Sequence, residues 1–155
     1  MTKQLFWEDV DVDSEVTPLS KVATTQMLMK FGAHTGDYNP AHYEDTFASN
    51  QDMDRAYVHG QLKRAWLCQL MVEWIGHEGW LKALGCRFQA PDWPRKMMDM
   101  YRPTKGETWT CKGKVVQKYV SDKGEHCVDC QIWIENGKGE TTTTGSSTVI
   151  LPCRV

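Results

Sequence analysis

The sequence has no long hydrophobic run. Its longest purely apolar stretch, Ala65–Cys68, spans four of the 155 residues, whereas a membrane-spanning helix needs about 20. The first nine residues include the acidic pair Glu8 and Asp9 and lack the apolar segment of a secretory signal. We therefore expect no membrane span and no export, which makes the cytoplasm the expected location.

An excess of charge of one sign is also missing. The sequence has 18 Lys and Arg residues and 20 Asp and Glu residues, which gives a net charge of −2. Nucleic-acid-binding domains, in contrast, are usually strongly basic. Nucleic acid is therefore not an expected partner. The sequence has no repeat or polar linker, and 41% of its residues are hydrophobic, which excludes a disordered chain. We expect a single domain over residues 1–155.

A complete cysteine motif for a metal is absent as well. Six cysteines are present, but only Cys127 and Cys130 have the spacing of a zinc knuckle, and no second pair completes four ligands. The segment around them alternates like a strand, so the two thiols should point to opposite faces. For a cytoplasmic chain this predicts free thiols rather than disulfides or a metal site.

One long helical pattern is clearly present. Gly60–Ile75 is apolar around most of its circumference, so this helix should be buried on most sides, and Gly76 should end it. A second helix is expected over residues 22–33, capped by Thr24 or Thr25. Four bulky side chains of the two helices are expected in the core: Met27, Met29, Trp66 and Trp74.

After Leu84 the hydrophobic period changes to two, which is typical of strands. Turns are expected at Ser121–Gly124 and Asn136–Gly137. The expected strands cover residues 109–119, 128–134 and 141–151, with two more within residues 88–101, interrupted at Pro91 and Pro94. A long apolar helix with antiparallel strands favours an α+β fold in which a curved sheet wraps around the central helix.

A short stretch around Asn39 holds groups suited to acid–base chemistry. Pro40 cannot lie inside a helix, so Asp37 should lie on a turn, while Asn39 and Pro40 are typical of a helix start. His42 then falls in the first turn of a helix that runs to about Ala48, where the helix dipole disfavours the charged ring. A carboxylate and a neutral imidazole held by one turn can share a water molecule as a general acid–base pair.

The start of the long helix, at His59 and Gly60, is a second candidate site feature. The first amide of a helix has no partner within the helix, and a glycine lets a ligand oxygen approach closely. The Gly60 amide can therefore bind a thioester carbonyl and stabilise the enolate formed when C2 gains or loses a proton. A Cβ added at Gly60 should occupy the position of that oxygen.

The pattern Gly36-Asp-x-Asn-Pro-x-His42, followed by His59-Gly60, resembles the MaoC-like family. These are R-specific enoyl-CoA hydratases and 3-hydroxyacyl thioester dehydratases of the hotdog fold. The resemblance covers roughly residues 15–152 and implies that fold. It also implies hydration of a 2-enoyl thioester, or dehydration of an (R)-3-hydroxyacyl thioester, without a cofactor.

The resemblance also implies roles for individual residues. Asp37 and His42 would activate the water, and the Gly60 amide would polarise the thioester carbonyl. Some members carry a supporting serine in the helix where this chain has Cys68, whose thiol is a weaker hydrogen-bond partner. The candidate substrate-binding residues are Asn39, His59 and Cys68, and the capping argument makes the role of Asn39 structural.

The partners that the resemblance implies are an acyl-CoA or acyl-carrier-protein thioester and a second copy of the chain. A single hotdog usually buries its sheet edge against a partner, so a homodimer or a higher oligomer of dimers is expected. Candidate contacts for the CoA phosphates are Lys63, Arg64, Arg87, Arg95 and Lys96.

Several alternatives stay open at this point. A hotdog thioesterase would activate water for attack at the carbonyl carbon, and a non-catalytic acyl-CoA-binding hotdog would not need the dyad. Asp37 and His42 could instead be a capping pair on a surface turn. His34 and His59 could join them as metal ligands, although the spacing matches no compact ligand motif, so we expect no metal.

Overall fold

The structure is a computed structural model that describes residues 4–99, 101–104 and 106–154. In chain order the elements are β1 (Glu15–Lys21), α1 (Thr25–Thr35), α2 (Asp45–Ser49), α3 (Gly60–Ile75), β2 (Trp80–Phe88), β3 (Trp109–Val120), β4 (His126–Glu135) and β5 (Thr141–Ile150), with 3₁₀ helices at Trp7–Asp9 and Pro40–His42. The strands form one antiparallel sheet in the order β1-β3-β4-β5-β2, and α3 contacts all five. The predicted α+β architecture is confirmed.

None of the helices in the described ranges has the length and hydrophobicity that a membrane crossing requires.

The core lies between α3 and one face of the sheet. Leu62, Leu67 and Met71 are buried on α3. Because side chains alternate along a strand, every second residue of β3 as far as Val115 and of β4 from Val128 is buried on the core side. The buried strand residues include Trp109, Cys111, Val115, Cys130, Ile132 and Ile134. The bounds predicted for α3 are confirmed, and Gly76 follows it with a φ of 78°.

The other face of α3 is uncovered in the single chain. Gln61, Arg64 and Ala65 are exposed, and Val72 is 52% exposed. The prediction that α3 is buried on most sides is therefore wrong for one chain alone, because the sheet covers only one side of the helix. This face mixes the apolar Ala65 and Val72 with polar side chains, so it is an uncovered helix face and not a continuous apolar patch.

The two predicted hairpin turns have the same construction. In each, a glycine with positive φ donates to a carbonyl three residues earlier: Gly124 (φ 76°) to Ser121 and Gly139 (φ 81°) to Asn136. The second turn was expected at Asn136–Gly137. The structure instead uses Gly139 for the left-handed position, so this turn is longer than predicted.

The strand predictions fail in two places. Among the described residues 89–99, where strands were expected, there are only isolated bridges at Arg95 and Met97, because Pro91 and Pro94 lack the N–H that a sheet requires. Conversely, β1 was not predicted, and it contains Pro18 and an irregular register against β3. β2 begins at Trp80, before the predicted change of period.

Helix α1 starts three residues later than predicted, because Thr24 is extended and its side chain accepts from the Met27 amide. Met27 and Met29 are 38% and 44% exposed, so their assignment to the core is wrong. The six cysteines are free thiols. Cys127 and Cys130 are both buried, and Cys130 packs in the core beside α3 whereas Cys127 does not.

Candidate functional site

The site begins where α1 ends. Gly36 adopts a left-handed conformation (φ 76°), and its amide donates to the Gly32 carbonyl, which turns the chain sharply and leads directly into Asp37. Asp37 then lies on a turn, as predicted, with its Oδ1 accepting a long bond of 3.4 Å from the Asn39 amide. Its side chain is 41% exposed, so its carboxylate is open to solvent.

The Asn39–Pro40 pair starts a helix, as predicted, but a shorter one. Asn39 Oδ1 accepts from the Ala41 amide at 3.1 Å, and a 3₁₀ helix covers only Pro40–His42. The chain then leaves helical geometry at Tyr43 (φ −143°) before α2 starts. The continuous helix expected to residue 48 is therefore wrong. A single 3₁₀ turn carries little dipole, so the dipole argument given for His42 does not apply.

His42 is buried, and its ring is held by the Tyr57 carbonyl at one edge and by the stacked His59 ring on one face. His42 Nδ1 lies 2.8 Å from the Tyr57 carbonyl oxygen, an acceptor, so in the neutral ring Nδ1 carries the proton and Nε2 has the lone pair. Nε2 lies 4.0 Å from Asp37 Oδ2. Two acceptor atoms at this distance cannot bond to each other, but both can accept hydrogen bonds from one water molecule between them.

His59 lies behind His42 and contacts both members of the pair. Its ring stacks on the His42 ring, with 3.7 Å between centroids and 25° between planes, and Phe31 packs edge-on against it. Its Nε2 lies 3.5 Å from the Asp37 carbonyl oxygen. Burial, and then the proximity of His42, lower the pKa of His59, so His59 is neutral near pH 7.

The cluster is a poor match for a metal ion. Within the described part of the chain, Asp37, His42 and His59 offer three ligand atoms that all lie within 4.8 Å of one another. However, the two imidazoles are stacked and nearly parallel, so their in-plane lone pairs run side by side instead of converging on one ion about 2 Å away. His34, the fourth candidate ligand, is exposed on α1 and lies outside this cluster.

Gly60 is the first residue of α3 and lines a cavity of about 280 Å³, together with Met53, Tyr57, Val58, Lys63, Phe88, Gln89, Ala90 and Pro91. The walls are mainly apolar. A Cβ added at Gly60 would lie 2.6 Å from Cε2 of Phe88. A ring of the same chain therefore lies where this Cβ would be added, so the first effect of a substitution at Gly60 would be on Phe88.

Cys68 is separated from this cavity. It lies eight residues, or about 12 Å, along α3 from Gly60, and it is not among the residues that line the cavity. The structure therefore brings together Asp37, His42 and His59, places Gly60 beside an apolar cavity, and leaves Cys68 outside both groups.

Three of the candidate phosphate contacts have other partners. Lys63 is buried against Asp92, Arg95 donates to Thr108 and Lys96 pairs with Asp45. The exposed Arg64 and Arg87 keep their charges at the surface. The Lys63–Asp92 pair was not predicted from the sequence. The indication that the sequence does contain is a lysine on the buried side of an apolar helix.

Comparison with known proteins identifies the family. The model of the MaoC like domain matches residues 10–125, and the chain belongs to this family. A comparison with curated proteins finds no match. The family includes hydratases and dehydratases, in agreement with the resemblance seen in the sequence.

Solved structures give the same fold. An (R)-hydratase from A. caviae involved in PHA biosynthesis is 21% identical, with a TM-score of 0.76 over 94% of this chain and 99% of its own. R-hydratase PhaJ1 from Pseudomonas aeruginosa is 17% identical, with a TM-score of 0.77 over 97% and 88%. The ChsH1–ChsH2 complex from Mycobacterium tuberculosis is 16% identical, with a TM-score of 0.72 over 91% and 98%. The protein has the hotdog fold.

Proposed function

We propose that this protein is a hydro-lyase that adds water to a 2-enoyl thioester, or removes it from an (R)-3-hydroxyacyl thioester. The observation that carries this proposal is the 4.0 Å separation of Asp37 Oδ2 and His42 Nε2. A carboxylate and an imidazole lone pair that face one water molecule form a base for that water. The R-hydratases among the structural relatives support the same chemistry.

In the hydration direction, Asp37 and His42 take one proton from the shared water while its oxygen bonds to C3 of the substrate. The electron pair of the C2–C3 double bond moves toward the thioester carbonyl. The Gly60 amide donates a hydrogen bond to that oxygen as negative charge develops on it. The dyad then returns the proton to C2, so the product gains one water and no redox change occurs.

The supporting residues have different tasks in this proposal. Asn39 holds the turn between the dyad members through its bond to the Ala41 amide, which is a positioning task and not a contact with substrate. His59 lines the site from behind through its stack on His42. Cys68, predicted to support the substrate, enters no step of the mechanism.

The proposed substrate carrier is CoA or an acyl-carrier protein, and the proposed assembly is a homodimer or an oligomer of dimers. Two features support a partner chain. β2 is an edge strand of the sheet, and its Trp80 is 67% exposed. The uncovered face of α3 adds further surface, on which Ala65 and Val72 are exposed. Association commonly covers an open strand edge and exposed apolar side chains.

A two-signal assay tests the function. Purified protein is mixed with 2-enoyl-CoA, while ultraviolet absorbance follows the conjugated enoyl thioester and a thiol reagent follows free CoA. We expect the absorbance to fall with no free thiol. Release of thiol would indicate a thioesterase instead, and no change in either signal would favour a non-catalytic acyl-CoA-binding protein.

A further inference from the structure

A buried ion pair that the mechanism does not use lies next to the cavity. Lys63 and Asp92 are each 2% exposed, and Lys63 Nζ donates to Asp92 Oδ2 at 2.7 Å. Asp92 also accepts from Trp109 Nε1 at 2.7 Å and from Thr142 Oγ1 at 2.8 Å. These four residues form the Lys63–Asp92 network, which joins α3, β3 and β5 to the irregular segment after β2.

The network is attached to the cavity at two points. Lys63 Nζ donates a second bond, of 2.9 Å, to the Ala90 carbonyl, and both residues line the cavity. The Asp92 carbonyl accepts from the Val58 amide at 2.8 Å, and Val58 also lines the cavity, two residues before Gly60. One side chain pair therefore connects the start of α3 to the opposite cavity wall.

The wall itself has little regular structure to hold it. Residues 89–91 are exposed, and the amides of Gln89 and Ala90 both donate to the same carbonyl, that of Thr142. A buried ion pair contributes little net stability compared with apolar side chains of equal volume. What it does provide is a fixed geometry, because each charged atom here has its hydrogen-bond partners in defined directions.

We infer that Lys63 is a positioning residue that sets the shape of the acyl-group cavity. This inference rests on the proposed function. Through Asp92 and Ala90, Lys63 holds the wall formed by residues 89–91 at a fixed distance from Gly60 and the first turn of α3. A fixed wall lets the cavity contact the methylenes of the acyl chain, whereas the dyad at Asp37 and His42 reacts only at C2 and C3.

The test is a double variant, Lys63→Met with Asp92→Asn, assayed with 2-butenoyl-CoA and 2-octenoyl-CoA. This pair leaves no buried unpaired charge, and Asn keeps an acceptor for Trp109 and a partner for Thr142. We expect KM for the octenoyl substrate to rise about tenfold relative to the butenoyl substrate. A tenfold change in KM corresponds roughly to the free energy of burying one to two methylene groups. For both substrates kcat should stay within about threefold.

A surface ion pair supplies the matched control. Lys112 and Glu135 pair at 2.6 Å between strands and do not line the cavity, so Lys112→Met with Glu135→Gln should leave the KM ratio unchanged. If the network variant fails to fold, Thr142→Val removes one bond to Asp92 without exposing a charge. It should shift the same ratio about two- to threefold.

Two outcomes would overturn the inference. One is an unchanged KM ratio in a folded variant, and the other is an equal loss of kcat on both substrates. If the wild-type protein hydrates the substrates, either result contradicts only the role of Lys63 and not the proposed function. If wild-type protein hydrates neither substrate, the proposed function itself fails.

Discussion

At the scale of single residues, His59 links the site to the pH dependence of stability. Burial and the neighbouring His42 lower the pKa of His59, whereas an unfolded histidine titrates near about 6.5. Below that pH the unfolded chain therefore binds more protons than the folded chain. The stabilisation from a neutral His59 is complete above about pH 6.5 and is lost as the pH falls through the lowered folded pKa.

We therefore expect the melting temperature of the wild-type protein to fall more steeply than that of His59→Phe between about pH 7 and about pH 5. Phenylalanine keeps a ring against His42 but takes up no proton. His34→Phe is the control, because His34 is exposed and should leave the wild-type slope unchanged. Identical slopes in the wild type and His59→Phe would show that His59 does not carry this proton uptake.

Gly60 is a second single residue whose substitution gives a sharp prediction. An added Cβ would lie 2.6 Å from the ring of Phe88, and Phe88 is 42% exposed, so the ring can move into the cavity mouth. We expect Gly60→Ala to lower kcat/KM by about 10², similar to the loss of an oxyanion donor. Adding Phe88→Ala should restore most of it. No recovery in the double variant would mean that the Cβ obstructs the thioester carbonyl itself.

At the scale of elements, the sequence is informative where a local signal determines the structure. The ends of α3 and the positions of Asp37 and Asn39 follow from caps, glycines and prolines within a few residues of each other. The extent of the helix after Pro40 does not, because the Ala41 carbonyl accepts from the distant Tyr57 amide and is not used to continue the helix. The strands expected within residues 88–101 fail for a related reason, since two prolines in one segment outweigh its apolar pattern.

The short helix at Pro40–His42 depends on its cap, which gives a prediction for Asn39. Loss of a capping side chain costs about 1 kcal/mol, so Asn39→Ala should lower the free energy of unfolding in urea by about that amount. Asn39→Ala should reduce kcat less than substitution of Asp37 or His42 does. Asn39→Asp keeps an acceptor for the Ala41 amide and should behave like the wild type. A large loss of kcat at unchanged stability would instead indicate that Asn39 contacts the substrate.

At the scale of the whole molecule, the contacts that shape the cavity are distant in sequence. Phe88 lies over Gly60, and Asp92 pairs with Lys63 across 29 residues. A single sequence contains the residue types but no record of which strand or loop folds back onto the helix. The proximity of Asp37 and His42 could be predicted because the two residues are five apart in sequence, whereas the cavity could not.

The uncovered face of α3 and the edge strand β2 predict association of two chains. We expect sedimentation analysis to give about 36 kDa, twice the chain mass of 17.8 kDa, or a multiple of that dimer mass. The substitution Trp80→Asp places a charge on the edge strand β2 and should shift the protein toward the monomer. Val116, 51% exposed on β3, supplies the control variant Val116→Asp, which should remain a dimer. A fully active monomer of wild-type sequence would contradict this assembly.

The most direct measurement of the central claim is hydration of 2-enoyl-CoA by Asp37→Asn and His42→Ala, compared with the wild type at equal concentrations of folded protein. If the two side chains form the base that activates water, each substitution lowers kcat by about 10² or more. The melting temperature should change little in Asp37→Asn, because that carboxylate is exposed. It should fall in His42→Ala, which removes a buried ring and its bond to the Tyr57 carbonyl, so the rates are compared per folded molecule. Hydration at the wild-type rate by either folded variant would contradict the account, because the water would then be activated by another group.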